Sequence, residues 1–315
     1  MNALANPEYF SLLFTIFLGL ILYYVVDHSV SKPSHPDHRN LYKSSSSQCY
    51  MHIRSFLYSH VPSFLLRPLY QLYEEQLIDQ IRRGEIPHHI GIIMDGNRRF
   101  ARDIGMFTWE GHNKGAGKLE EMLDWCNELS IKEMTVYAFS TENFNRPHAE
   151  IDHLMELFEQ KFYDIATDER MHNHKIRVRA LGNLDLLPER VRKAIRTAED
   201  ATKRYTNHYF NVCIAYGGRS EIIGALKKIA EKMEEGEYSS EDITEETLKN
   251  HLYRAGPDPD LIIRTGGEVR LSNFLLFQAA YSELFFCDIY FPAFRKVDFL
   301  RVIREFQKRK RRFGE

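Results

Sequence analysis

The chain has few of the features that assign a protein quickly. Its four cysteines in 315 residues, Cys49, Cys126, Cys213 and Cys287, show no Cys-x-x-Cys spacing. That scatter excludes a zinc ribbon and a disulfide framework and suits a reducing compartment, with the last three thiols as small buried hydrophobes. Excess positive charge is also missing: 42 Lys and Arg stand against 44 Asp and Glu, a formal net charge of -2. No global field exists to neutralise a phosphate backbone, so nucleic acid is not an expected partner. There is no GxxxxGK[ST] loop and no GxGxxG after the first strand-like run, which disfavours a P-loop nucleotidase and a dinucleotide enzyme. Nor is there a nucleophile elbow.

One long apolar run is present. Tyr9 to Val26 carries no charge and is rich in Phe, Leu and Ile, just long enough to span a bilayer core. The residues before it include Glu8 and no Lys or Arg, unlike a cleaved signal peptide. Lys32, Arg39 and Lys43 follow it, which places the C-terminal bulk in the cytoplasm. Residues 1–30 therefore read as a membrane anchor; a buried or interfacial helix is the other reading. Residues 31–55, with Pro33, Pro36 and Ser44 to Ser47, read as a polar linker. Residues 56–83 place Leu65, Leu69, Leu72, Leu77 and Ile81 at near-helical spacing. Such a helix either covers the main domain or docks on a membrane surface.

From residue 84 to 315 strand-like and helix-like segments alternate. Short β-branched or aromatic runs at Ile90–Met94, Glu133–Phe139, Ile176–Leu181, Phe210–Tyr216 and Leu261–Ile263 are separated by helical patterns. Those patterns cover Ala116–Leu129, Ala149–Arg170, Pro188–Arg204 and Arg219–Glu235. Such alternation predicts one α/β domain with a mostly parallel sheet flanked by helices, and ligands at the carboxyl ends of its strands.

Polar clusters fall at those ends. The first, Asp95-Gly96-Asn97-Arg98-Arg99, reads in isolation as a helix cap and a solvated basic turn. Its chemistry equally suits a diphosphate, with Asp95 for a hard cation and Arg98 and Arg99 as bidentate donors. Gly111-His112-Asn113-Lys114-Gly115 then opens the next helix as an anion site or a cap. Ser140, Thr141, Asn143 and Arg146 suit polar ligand contacts beside Phe139 and Phe144, and Glu142 is a helix-start carboxylate or a catalytic group. Tyr216-Gly217-Gly218-Arg219 forms a tight turn in which Arg219 supports the crevice. Arg264, Arg270 and Ser272 around Gly266-Gly267 are placed to grip a diphosphate. Glu283, among Tyr281, Leu284, Phe285 and Phe286, needs a partner or a metal.

In order and spacing, HIGIIMDGNRRFAR, GHNKG, YAFSTENFNRP, FNVCIAYGGRSEI and DLIIRTGGEVRLSNFLLFQAAYSEL resemble the cis-prenyltransferases, the undecaprenyl and dehydrodolichyl diphosphate synthases. Their GNRR and GGEVRxSNF forms look closest to archaeal members. The resemblance implies a six-stranded parallel sheet with a hydrophobic tunnel, and sequential Z-condensation of isopentenyl diphosphate onto farnesyl or geranylgeranyl diphosphate. The product would be a long polyprenyl diphosphate, precursor of a glycosyl carrier lipid. By motif position, Asp95 would bind Mg²⁺ and assist departure of the allylic diphosphate. Gly96, Asn97, Arg98, Arg99 and His112 would cradle that diphosphate, with Phe100 at the aromatic position. Ser140, Thr141, Glu142, Asn143, Phe144 and Arg146 would position the reacting ends, with Asn143 at the proton-abstraction position. Arg264, Arg270 and Ser272 would bind isopentenyl diphosphate, and Glu283 would assist with Mg²⁺.

Departures from the family pattern are visible. Thr108 stands where bacterial members carry an arginine, and Phe144 and Phe277 where they often carry Trp. The C-terminal Arg312-Phe313-Gly314 matches the Arg-x-Gly that reaches a partner's site in homodimeric members, although a basic run is also a solvated tail. The runner-up functions are a short-chain Z-prenyl synthase and, less in keeping with an intact first motif, a non-catalytic membrane subunit of a two-component enzyme.

Overall fold

The computed structural model of the chain describes residues 63–309. The apolar run, the linker, the first part of the amphipathic stretch and Arg312-Phe313-Gly314 lie outside the described residues. Among the described residues, no helix is long and apolar enough to cross a membrane. The chain divides after Asp79, and the unit Gln80–Glu315 carries the sheet.

Helix α1 spans Ser63–Ile81. Six strands follow: β1 (His89–Ile93), β2 (Glu133–Ser140), β3 (Ile176–Leu181), β4 (His208–Tyr216), β5 (Leu261–Arg264) and β6 (Glu283–Phe286). They form one sheet in the order β3-β4-β2-β1-β5-β6, and every pairing is parallel. The six-stranded parallel sheet implied by the resemblance is therefore present. β1 and β5 are buried along their whole length, as strands covered on both faces must be. That is why they read as apolar runs without alternation.

The helices of this unit are α2 (Asn97–Asp103), α3 (Thr108–Glu128), α4 (His148–Thr167), α5 (Glu169–Asn173), α6 (Glu189–Thr202), α7 (Gly218–Glu234), α8 (Glu245–His251) and α9 (Lys296–Lys308). Contacts join α3 to α4 and α4 to α6, while α2 packs on α3 and α7 on α8. Trp125 of α3 meets Phe299 of α9 with ring centroids 5.9 Å apart.

The strand order creates the crevice. From β1 the chain moves to one side through β2, β3 and β4, then returns to lay β5 and β6 on the other side of β1. The β1–β5 boundary is a topological switch point, where the crevice opens at the carboxyl ends. The amino end of the sheet is a closed polar layer. His89 pairs with Pro257 O at 2.9 Å and Thr135 Oγ1 at 2.7 Å, and burial pushes its pKa down to about 3, so the ring is neutral and structural.

Two helices depart from the pattern. α3 begins at Thr108, so Gly111 to Gly115 lie inside it and do not open it. The glycines serve close packing: a Cβ at Gly111 would sit 2.2 Å from Asn97 O, and one at Gly115 2.7 Å from Asn97 Oδ1. The helix expected over Ala149–Arg170 ends at Thr167, and Asp168 caps the short α5 by accepting from Arg170 N at 2.8 Å.

Candidate active site

Asp95 follows β1, and Arg264 ends the neighbouring β5, paired in register with Ile93. Thr265, fully buried, fixes the backbone between them: its hydroxyl donates to Asp95 O at 2.8 Å and accepts from Asp95 N at 3.1 Å. The chain then turns at Gly96, whose φ of 100° lies in the left-handed region and whose Cβ would strike Tyr290 at 2.6 Å. Only glycine fits there.

Both oxygens of Asp95 meet guanidinium groups. Arg264 Nη2 donates to Oδ2 at 2.7 Å, and Arg99 Nη2 to Oδ1 at 3.0 Å. Burial works against the charge, yet these two partners outweigh it and hold the carboxyl below its usual range. Asp95 is thus a carboxylate near neutral pH. Arg264 is buried and oriented on all sides, because Nη1 also donates to Ser272 Oγ at 2.7 Å and to Arg270 O. Its buried Nε has no hydrogen-bond partner among the described residues.

Two cavities meet at Asp95. The larger, about 590 Å³, is lined on the polar side by Asp95, Asn143, Arg146, Arg219, Arg264 and Ser272, and on the apolar side by Ile93, Tyr137, Ala138 and Leu276. Ser140, Glu142, His112 and Asn97 complete the overlap with the expected residues. The smaller, about 300 Å³, is lined by Asp95, Gly96, Asn97 and His112 and by four arginines, Arg98, Arg99, Arg102 and Arg146. A bulge in β2 shapes the wall between strand and cavity. The register to β4 slips between Tyr137 and Phe139, which turns Ala138 out of the ladder beside the larger cavity.

Glu150 organises the cations. Its side chain is 8% exposed and takes His112 Nε2 at 3.3 Å, Arg146 Nη1 at 3.1 Å and Arg98 Nε at 3.6 Å. Burial and the Arg146 charge push the His112 pKa down against Glu150, so the imidazole is mostly neutral at pH 7. Asn143 is also tied: its Oδ1 accepts from Ser140 N at 3.1 Å, capping the short turn Thr141–Asn145. The NH₂ end is therefore its free face, and that end is a donor, not a base.

Five expected residues are placed elsewhere. Phe100, Thr141, Phe144 and Arg270 line neither cavity. Phe144 packs edge-on against Phe139 at 4.9 Å, and the Arg270 side chain is 60% exposed on Glu268. Glu283 is a correction. β6 runs parallel to β5, so Glu283 pairs with Leu261 at the amino end, whereas Phe286 pairs with Arg264 at the end nearest Asp95. Glu283 holds Arg309 at 2.6 Å and within one chain does not share a site with Asp95. Arg102, Glu150, Thr265 and Asn273 were not singled out by the motifs; Asn273 Oδ1 accepts from Arg219 N at 2.9 Å, and its Nδ2 donates to Glu142 at 2.9 Å. The Arg146–Glu150 spacing of four was the available signal for Glu150.

The donor set also bears on a metal. Among the described residues no group of three acidic, His or Cys side chains could hold an ion alone. Mg²⁺ is commonly bound by one or two carboxylates with substrate phosphates and water. Asp95, oriented between two cation-lined cavities, fits an ion shared with substrate.

An open parallel sheet with two arginine-lined cavities that share one carboxylate is suited to anionic, phosphate-bearing ligands. Residues 93–314 match the profile of the undecaprenyl diphosphate synthase family. The chain belongs to that family, the cis-prenyltransferases, and is a prenyl-transferring enzyme. It is similar to the Thermococcus kodakarensis protein named tritrans,polycis-undecaprenyl-diphosphate synthase (geranylgeranyl-diphosphate specific), at 57% identity over 82% of this chain and 98% of the relative. The Pyrococcus furiosus protein of the same name is 56% identical over 81% of this chain and 97% of its own length. Among solved structures, lavandulyl diphosphate synthase from Lavandula x intermedia in complex with dimethylallyl diphosphate aligns with a TM-score of 0.70 and 37% identity, covering 73% of this chain and 99% of that one.

Proposed function

We propose that the enzyme extends geranylgeranyl diphosphate by successive Z-condensations with isopentenyl diphosphate, giving a long polyprenyl diphosphate. The observation that carries this reading is Asp95, the one carboxylate that lines both of the cation-lined cavities. The names of the archaeal relatives favour geranylgeranyl over farnesyl diphosphate and a long product over a short one.

In this reading the allylic diphosphate occupies the smaller cavity and isopentenyl diphosphate the larger. Arg98, Arg99 and His112 hold the allylic diphosphate. As its C–O bond breaks, these fixed donors stabilise the charge that gathers on the leaving group. Arg264, with Ser272 and Arg219, holds isopentenyl diphosphate so that its double bond attacks the allylic carbon. The new C–C bond leaves a cation that loses one proton. Asn143 presents an NH₂ group to the cavity and so orients a phosphate oxygen that takes this proton. Mg²⁺, held by Asp95 together with substrate oxygens, would supply further charge neutralisation at the departing diphosphate.

The same reading makes residues 1–30 a membrane anchor for an enzyme whose product partitions into lipid, each CH₂ contributing about 0.8 kcal/mol. It also pairs two chains, with Arg312-Phe313-Gly314 reaching the partner's site. The test incubates the full chain and Mg²⁺ with labelled isopentenyl diphosphate and each allylic starter, and sizes the products. Geranylgeranyl diphosphate is expected to be the best starter, yielding long chains; a short product, or none from any starter, contradicts the reading. Sedimentation of the same protein with liposomes, and of a variant without residues 1–30, tests the anchor: equal pelleting removes it. A monomer that forms product removes the pairing.

A further inference from the structure

Four guanidinium groups line the smaller cavity, and three of them are already engaged. Arg99 is paired with Asp95 at 3.0 Å and Glu268 at 3.6 Å; Arg98 and Arg146 share Glu150. The Arg102 side chain is exposed, lines the cavity, and makes no ion pair or hydrogen bond among the described residues. None of the expected contacts was assigned to it.

Helix phase explains its position. Ala101 is fully buried, and Asn97 and Ala101 form the face of α2 on which Gly111 of α3 packs. That contact fixes the rotation of α2. Arg98 and Arg102, four residues apart, then lie one above the other on a different face. Two like charges at this spacing work against a bare helix, and an anion between them relieves the repulsion. A guanidinium is well matched to a phosphate oxygen pair.

We propose that Arg102 is a substrate-binding residue that captures the diphosphate of the allylic substrate in the smaller cavity. The inference rests on the reading of that cavity as the allylic subsite. The other arginines are held by acids and so form a rigid cradle; Arg102 is the cation free to close on the incoming group. Arg102 does not line the larger cavity. Its removal therefore acts on one substrate and not the other.

The test compares the full-length parent with Arg102→Ala and Arg102→Lys in steady-state condensation, varying each substrate at saturation of the other. Loss of one charge-assisted contact is expected to raise the KM for the allylic diphosphate about 10- to 100-fold. The KM for isopentenyl diphosphate should change less than about twofold, and Arg102→Lys should recover part of the loss. Inorganic diphosphate, used as a competitor of the allylic substrate, should bind more weakly to Arg102→Ala by a similar factor. Thermal melting should be unchanged, since the Arg102 side chain is exposed and makes no ion pair or hydrogen bond among the described residues. An allylic KM within about twofold of the parent, or a rise confined to isopentenyl diphosphate, overturns the proposal while the functional reading stands. A parent that condenses no starter overturns both.

Discussion

Glu150 lies in the first turn of α4, where His112, Arg146 and Arg98 converge on it from three segments. Replacing it by Gln keeps an acceptor but removes a negative charge from a strongly cationic wall. Two effects then oppose each other. Diphosphate binding in the ground state gains from the added positive potential, while the aim of Arg98, Arg146 and the His112 imidazole at the transition state is lost. The second acts on turnover, so Glu150→Gln should lower kcat about 10- to 100-fold without raising the KM for either diphosphate. A raised KM with unchanged kcat, measured under the same conditions, would show that Glu150 supports only uniform binding. Sequence reasoning reaches Asp95, Arg264 and Ser272 because each lies at or beyond the carboxyl end of a recognisable strand. It passes over Glu150 and Arg102 because their roles depend on which face of a helix turns inward, and single charges on a helix usually point to solvent.

At the scale of elements, strands β1 and β5 are legible as short isoleucine-rich apolar runs, and the helices between strands by their period. The edge strand β6 was not read from its residues alone, since its four residues are all half-buried and show no alternation. The start of α3 at Thr108 precedes the start that the sequence predicts, because glycine usually marks a helix end. Here Gly111 and Gly115 lie on the face that meets α2, where backbone approach matters more than helix propensity. Gly117 of the same helix is open, with nothing within 4 Å of a Cβ. Gly111→Ala should therefore destabilise by about 1–3 kcal/mol through overpacking against Asn97. Gly117→Ala should stabilise by about 0.5–1 kcal/mol, as expected for an exposed helix interior. Urea unfolding of the two variants checks this, and equal shifts would rule out the α2–α3 contact. The bulge at Ala138 had no sequence signal, because it arises from pairing with β4 and not from the residues of β2.

For the molecule as a whole, the order β3-β4-β2-β1-β5-β6 decides where chemistry can occur. The switch between β1 and β5 brings Asp95 beside Arg264 across 169 residues of sequence. The parallel run of β5 and β6 sends Glu283 to the opposite end. Motif spacing alone could not separate these cases, since both carboxylates lie close in sequence to apolar strand residues. The central claim is that Asp95 serves both cavities at once. Its most direct test is the rate at which Asp95→Asn joins labelled isopentenyl diphosphate to geranylgeranyl diphosphate, both saturating and with Mg²⁺ present, compared with the parent. Thermal melting confirms that the variant is folded. The shape of the side chain is kept while its charge is lost, so the account predicts a fall of about 10²- to 10³-fold. A folded Asp95→Asn enzyme that keeps the parent's rate to within about fivefold would contradict it.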